Sequence, residues 1–142
     1  MSGASAAAYQ AGGEPVARAA FYALACDPQR SVVVEACAGA GKTWMLVSRM
    51  LRALLEGAQP HEILAITFTR KAAGEMRQRL NEWLREFAVP GTAHELRVRA
   101  LVERGLPLPR AETLAPELAG LHERLLAGGR PEIGRASCRE RV

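Results

Sequence analysis

The chain has 142 residues, 49% hydrophobic and 24% charged, with a formal net charge of +4. That is one ordinary globular domain's worth of core, and it excludes a fibrous or highly charged disordered chain. The mild basic excess permits contact with nucleic acid without arguing for it, and no apolar run approaches the roughly 20 residues of a membrane helix.

Aromatic residues are only 5% of the chain, so the core must come mainly from Ala, Val and Leu. The three cysteines, Cys26, Cys37 and Cys138, have no metal-ligand spacing. An odd count, with no basic and apolar leader in "MSGASAAAYQAGG", fits a soluble protein of the reducing cytoplasm.

In chain order, residues 1–13 are rich in Gly, Ala and Ser and are expected to be disordered. "EPVARAAFYALACDP" predicts a short helix, with Pro15 near its start and Asp27-Pro28 as its stop. "SVVVEA" reads as a buried strand. After a glycine-rich turn, "KTWMLVSRMLRALLEG" carries Leu46, Val47, Met50, Leu51, Leu54 and Leu55 at helical spacing, ended by Gly57.

"QPHEILAITFT" predicts a second strand, Ile63 to Phe68. "RKAAGEMRQRLNEWLREFA" predicts a second amphipathic helix, with Met76, Leu80, Trp83, Leu84 and Phe87 on one face. Strand, helix, strand, helix in short pieces implies a right-handed crossover and a parallel sheet. Beyond "VPGT", "HELRVRALVERG" and "AETLAPELAGLHERLLAGG" predict two more helices separated by "LPLPR".

The turn itself, Ala36-Cys37-Ala38-Gly39-Ala40-Gly41-Lys42-Thr43, fits a relaxed phosphate-loop pattern. A strand delivers the chain, small residues let backbone N–H groups converge on phosphate oxygens, and the following helix points its positive end at the same charge. Lys42 can reach the outer phosphates, and the Thr43 hydroxyl can ligate Mg²⁺. A plain glycine-rich strand-to-helix turn is the bland reading.

In "ILAITFTRKAAGEMRQRL", Thr67 and Thr69 alternate with Phe68 at a strand's C-terminal end, where open α/β sheets place ligands. Hydroxyls beside a helix N-terminus suit a phosphate backbone, and an exposed Phe68 can stack on a base, with Arg70 and Lys71 adding charge. Read alone, the stretch is better taken as a strand end capped by Thr69, with Phe68 in the core and Arg70 and Lys71 solvated, because caps and core aromatics are commoner than ligand contacts.

Together the two stretches resemble the superfamily 1 helicases of the UvrD/RecB type. "VEACAGAGKTW" is similar to the Walker A strand and loop of their RecB/AddA branch, the exonuclease V beta-like helicase-nucleases, in which a Glu precedes A-x-A-G-x-G-K-T. "ILAITFTRKAAGEMRQRL" is similar to motif Ia, T-F-T-x-K-A-A-x-E-M. The resemblance covers Ser31 to Phe87. It implies an α/β fold: a truncated P-loop NTPase (RecA-like) parallel-sheet domain with an extra C-terminal helical segment. It also implies an ATP-driven motor that moves along single-stranded DNA and unwinds duplex.

Carried over, Gly39, Gly41, Lys42 and Thr43 would hold ATP and Mg²⁺, and Ala36, Cys37, Ala38 and Ala40 would complete the loop. Thr67, Phe68, Thr69 and Lys71 would lie along the DNA. That branch adds a role in double-strand-break repair, a nuclease domain and a RecC- or AddB-like partner subunit.

Three departures stand beside this likeness. Phe21 occupies the place of the family's adenine-reading glutamine, with Gln10 further upstream and Gln29 nearer the strand. The chain has no adjacent acidic pair after an apolar strand, and no arginine finger can be assigned. An arginine finger alone is worth about 10³–10⁵ in rate, so the chain is expected to bind nucleotide without turning it over. "GTAH" at Gly91 to His94 is only superficially like the family's next motif, since no apolar strand precedes it, and His94 reads as a surface residue at a helix start.

Residues 132–142, "EIGRASCRERV", resemble the conceptual translation of a short-read sequencing adapter and are set aside as foreign. The expected organisation is a disordered 1–13, a partial ATP-binding domain at 14–90, a helical segment beginning an inserted subdomain at 91–131, and that tail. Two rival readings remain. One is another phosphate-loop enzyme such as a small-molecule kinase. The other is a non-catalytic module that binds a partner through Leu96, Val98, Leu101 and Val102 or Leu118, Leu121, Leu125 and Leu126.

Overall fold

The computed structural model describes residues 9–36, 41–128 and 132–135. A small hairpin comes first: β1 (Gln10–Ala11) pairs antiparallel with β2 (Glu14–Pro15), Gln10 opposite Pro15. Residues 9–13 therefore depart from the disorder expected of 1–13. The reason is Tyr9, whose ring lies 5.0 Å from that of Phe21 and 5.8 Å from that of Tyr22, apolar contacts that a composition count does not register.

α1 (Arg18–Ala25) follows and ends just before Asp27-Pro28. α2 (Lys42–Leu55) buries Val47, Met50, Leu51, Leu54 and Leu55 on one face, the 3.6-residue spacing of an amphipathic helix. Leu46, expected on that face, is 36% exposed, while Met45 and Ser48 are buried. Ser48 is accommodated because its hydroxyl donates to the Trp44 carbonyl at 2.7 Å, the usual way a buried helical serine satisfies itself.

β3 (Leu64–Thr67) leads into α3 (Arg70–Phe87), which buries Ala73, Met76, Leu80, Trp83 and Leu84. α4 (His94–Glu103), α5 (Leu108–Leu114) and α6 (Glu117–Gly128) complete the helices. The second of the two helices expected beyond residue 91 is thus two. Pro109 sits in the first turn of α5, where its missing N–H costs nothing, and Pro116 cannot continue that helix.

One core joins α2, α3, α4, α5 and α6, with Leu51, Leu80, Leu84, Leu101, Leu118 and Leu121 fully buried. A satellite of Tyr22, Ala25, Cys26 and Met45, flanked by Tyr9, Phe21, Val34 and Trp44, joins α1 to the start of α2. No helix among the described residues is long and apolar enough to cross a membrane.

The strands depart most from expectation. Residues 31–36 carry no strand or helix, and Val33 is 93% and Val32 39% exposed. A strand needs a hydrogen-bonded neighbour along at least one edge, and no described strand pairs with these residues. β3 does pair in parallel, but with β4 (Glu132–Arg135), Leu64 opposite Glu132 and Thr67 opposite Arg135.

β4 thus begins the tail set aside as foreign. Ile133 reaches the main core at 7% exposure, and its carbonyl accepts from Arg77 Nη1 at 2.7 Å. An open strand edge offers N–H and C=O groups to any extended segment. Backbone pairing there asks little of side-chain identity.

Candidate nucleotide and nucleic-acid sites

Cys37, Ala38, Gly39 and Ala40 lie outside the described residues, whereas Ala36, Gly41, Lys42 and Thr43 are within them. Gly41 caps α2 in the left-handed region at φ 83°, a conformation that favours glycine. A Cβ built there would meet nothing within 4 Å, so backbone strain rather than crowding makes glycine fit. No side chain caps the helix, and its first turn holds no acidic residue.

The first intrahelical bond runs from the Met45 N–H to the Gly41 carbonyl at 3.0 Å, which leaves the N–H groups of Lys42, Thr43 and Trp44 without intrahelical acceptors. Lys42 is exposed and Thr43 half-buried, and neither side chain has a hydrogen-bond or ion-pair partner among the described residues. Uncapped N–H groups at the positive end of a 14-residue helix, beside a lysine and a hydroxyl, are suited to an anion of high charge. A hydroxyl at this place can give Mg²⁺ one oxygen, with waters and phosphate oxygens among the ion's other ligands.

Beside this helix start an open cleft of about 480 Å³ is bordered by Val32, Val34, Lys42, Met45 and Arg49. Arg49 Nη1 donates to the carbonyls of Ala25 and Asp27, both at 2.9 Å, and its Nη2 to that of Arg30. It thereby anchors the turn that leads into residues 31–36. Phe21 is half-buried against Tyr9 and Tyr22, and Gln10 is exposed on β1.

The second candidate site sits at the end of β3. The Thr67 hydroxyl donates to the Thr69 carbonyl at 2.9 Å, and the Thr69 hydroxyl accepts from the Ala72 N–H at 3.0 Å. Thr69 is thus the N-cap of α3, as read from the sequence, and keeps its own hydroxyl hydrogen for another acceptor. Phe68 is not in the core: it is 93% exposed. Arg70 and Lys71 are exposed in a first turn that holds no acidic residue. The turn therefore offers a bare aromatic face, a hydroxyl donor and two cations at the positive end of an 18-residue helix.

His94 is exposed at the first position of α4. Among the described residues no group of three or more His, Cys, Asp or Glu is placed to hold a metal ion. Of the rival partner-binding faces, Val98, Leu101, Leu118, Leu121 and Leu125 are core residues, leaving Leu96, Val102 and Leu126 exposed.

Sequence reasoning missed the surroundings of Trp44. Arg18 and Arg104 both lie against its ring, at 5.1 and 4.5 Å from the centroid. The signal available was a tryptophan directly after Lys42-Thr43 in a chain with only two.

Residues 17–114 match the model of the UvrD/REP helicase N-terminal domain. Among curated proteins, the chain is similar to an ATP-dependent helicase/nuclease subunit of Lactobacillus helveticus, 46% identical over 66 residues, which are 46% of this chain and 6% of the relative. It is likewise similar to the proteins of the same name from Latilactobacillus sakei, 37% identical over 84 residues (58% of the chain, 9% of the relative), and Streptococcus sanguinis, 35% identical over 83 residues (58% and 7%). The chain thus spans less than a tenth of the length of these relatives. No solved structure matches significantly.

Proposed function

Since the chain belongs to the UvrD/REP helicase N-terminal domain family, and so carries a P-loop NTPase fold, we propose that it is the N-terminal ATP-binding part of an ATP-dependent DNA helicase or translocase acting in double-strand-break repair. The observation that carries this reading is the start of α2. Left-handed Gly41 opens an uncapped helix whose first two residues are Lys42 and Thr43. The backbone N–H groups and the Lys42 ammonium would hold the phosphates, and Thr43 would give one oxygen to Mg²⁺. Bound Mg²⁺ supplies the charge that offsets the triphosphate.

Residues 36–43 form the loop in this reading, and in the parent protein residues 31–36 would be drawn into a parallel sheet beside β3, a pairing they do not make here. Residues 14–90 make up the ATP-binding part, 91–131 begin an inserted helical subdomain, and the 132–142 stretch is foreign. Thr67, Phe68, Thr69 and Lys71 lie along single-stranded DNA, with Phe68 under a base and the Thr69 hydroxyl and Lys71 on phosphates. Without an acidic pair to orient water, the chain holds ATP without efficient turnover. Hydrolysis and unwinding belong to the parent protein, which also has a nuclease and works with a partner protein, as the relatives' helicase/nuclease name suggests.

Binding of a fluorescent ATP analogue in the presence of Mg²⁺ tests the first half. It is expected to be abolished by Lys42→Ala, and unchanged binding in that variant would remove the site. For the second half, Phe68→Ala is expected to weaken binding of a poly-dT oligonucleotide by the about 1–3 kcal/mol typical of one base stack. Because Phe68 is 93% exposed, the melting temperature should not fall. An unaltered DNA affinity would return Phe68 to the ordinary surface.

A further inference from the structure

One guanidinium lies against both tryptophans of the chain: Arg104 Cζ is 4.5 Å from the Trp44 ring centroid and 5.0 Å from that of Trp83. Arg18 Cζ is 5.1 Å from Trp44 and 4.6 Å from Tyr22, and the Tyr22 and Trp44 rings meet edge-on at 4.9 Å. The result is a ladder, Tyr22, Arg18, Trp44, Arg104, Trp83, drawn from α1, α2, α3 and the end of α4.

The end of α4 is fastened on either side of this arginine. Arg18 Nη1 donates to the Glu103 carbonyl at 3.1 Å. Gly105, at φ 88°, lies so close to α1 that a Cβ there would stand 2.4 Å from the Tyr22 carbonyl carbon.

Arg104 is 7% exposed, its Nε has no hydrogen-bond partner, and no carboxylate forms an ion pair with it among the described residues. Burial pulls its pKa down to about 10. A methionine would fill the same slot without a charge to desolvate, so packing alone does not account for an arginine here. What the guanidinium adds is cation–π attraction to an indole face in a dry site. That indole belongs to the third residue of α2, directly after Lys42 and Thr43.

We propose that Arg104 is a positioning residue for the nucleotide site: its stack on Trp44 fixes the rotation of the first turn of α2, and so where Lys42 and Thr43 present their ammonium and hydroxyl. The inference rests on the nucleotide-binding reading of that turn. It also makes the site answerable to residues 94–114, since a shift of α4 relative to α1 moves the Trp44 ring through the same contact.

The test uses the whole chain carrying Trp83→Phe, which leaves Trp44 as the sole indole. Binding of ATP with Mg²⁺ is followed by Trp44 emission and, separately, by a fluorescent ATP analogue. Binding is expected to change Trp44 emission. Adding Arg104→Met should weaken it about tenfold and abolish the emission change while the far-UV circular dichroism melt is held or raised. Arg104→Lys, which keeps the cation, should recover part of the affinity.

Unaltered ATP affinity in Arg104→Met overturns the proposal. Should that variant not fold, an unchanged Trp44 emission on ATP binding to the Trp83→Phe chain overturns it equally. The two readings fail differently. Binding that ignores Lys42→Ala removes the nucleotide site and the proposal with it. Binding that needs Lys42 and ignores Arg104 removes the positioning role alone.

Discussion

Cys26 shows how one buried side chain can set a pH response. It is fully buried at the end of α1, its Sγ donating to the Met45 carbonyl at 3.7 Å, and burial pushes the thiol up from 9.0 to about 11. The folded chain therefore keeps this proton to a higher pH than the unfolded chain does. The thiol's contribution to stability is complete below about pH 9 and is lost as pH rises toward about 11, a loss of about 2 kcal/mol. Urea midpoints for the wild type and Cys26→Ala at about pH 8 and about pH 10.5 isolate the effect. The wild type is expected to lose more stability over that interval; parallel losses would mean that the thiol ionises without consequence. Phe68 gives the opposite lesson at this scale. An aromatic between two threonines at a strand end reads by itself more readily as core than as platform, and its 93% exposure overturns that reading.

Among the elements, α3 was legible in detail, whereas the strand expected before α2 is absent from residues 31–36. The start of α3 is written locally: the Thr69 hydroxyl accepts from the Ala72 N–H at 3.0 Å, and the apolar positions from Ala73 to Leu84 repeat at helical spacing. Thr69→Ala is expected to cost about 1 kcal/mol, with Thr69→Ser near neutral. Chemical denaturation reads both, and an alanine variant as stable as the wild type would show that the cap is dispensable. "SVVVEA" has as strong a β-branched signal as any stretch of the chain. Strand state, however, depends on hydrogen-bond partners contributed by other segments, and Val33 remains bare. β3 satisfied the same condition through Glu132–Arg135, a partner that periodicity did not nominate.

For the molecule as a whole, the helices beyond residue 91 are continuous with the rest. Leu101 of α4 is fully buried in the same core as Leu51 of α2 and Leu80 of α3. Leu101→Ala is expected to lower stability by about 2–5 kcal/mol, and to do so in one transition seen equally by tryptophan emission and by far-UV circular dichroism. Two separated transitions would mean that 94–128 is a unit of its own. The shared core also weakens the reading of these helices as a free partner-binding module, since Val98, Leu118, Leu121 and Leu125 are already occupied.

Sequence alone determined what rests on local covalent and helical geometry. The small residues before Lys42-Thr43, the amphipathic faces of α2 and α3, the Thr69 cap and the family likeness are all carried by residues a few positions apart. Tertiary structure alone decided what depends on segments distant in the chain. It set Tyr9 on Phe21 and Tyr22, gave residues 31–36 no strand partner among the described residues, exposed Phe68 and brought Arg104 across to Trp44. The physical reason is range: helix periodicity and capping are fixed within about one or two turns, whereas sheet pairing and cation–π stacking take their partners from anywhere the core brings together.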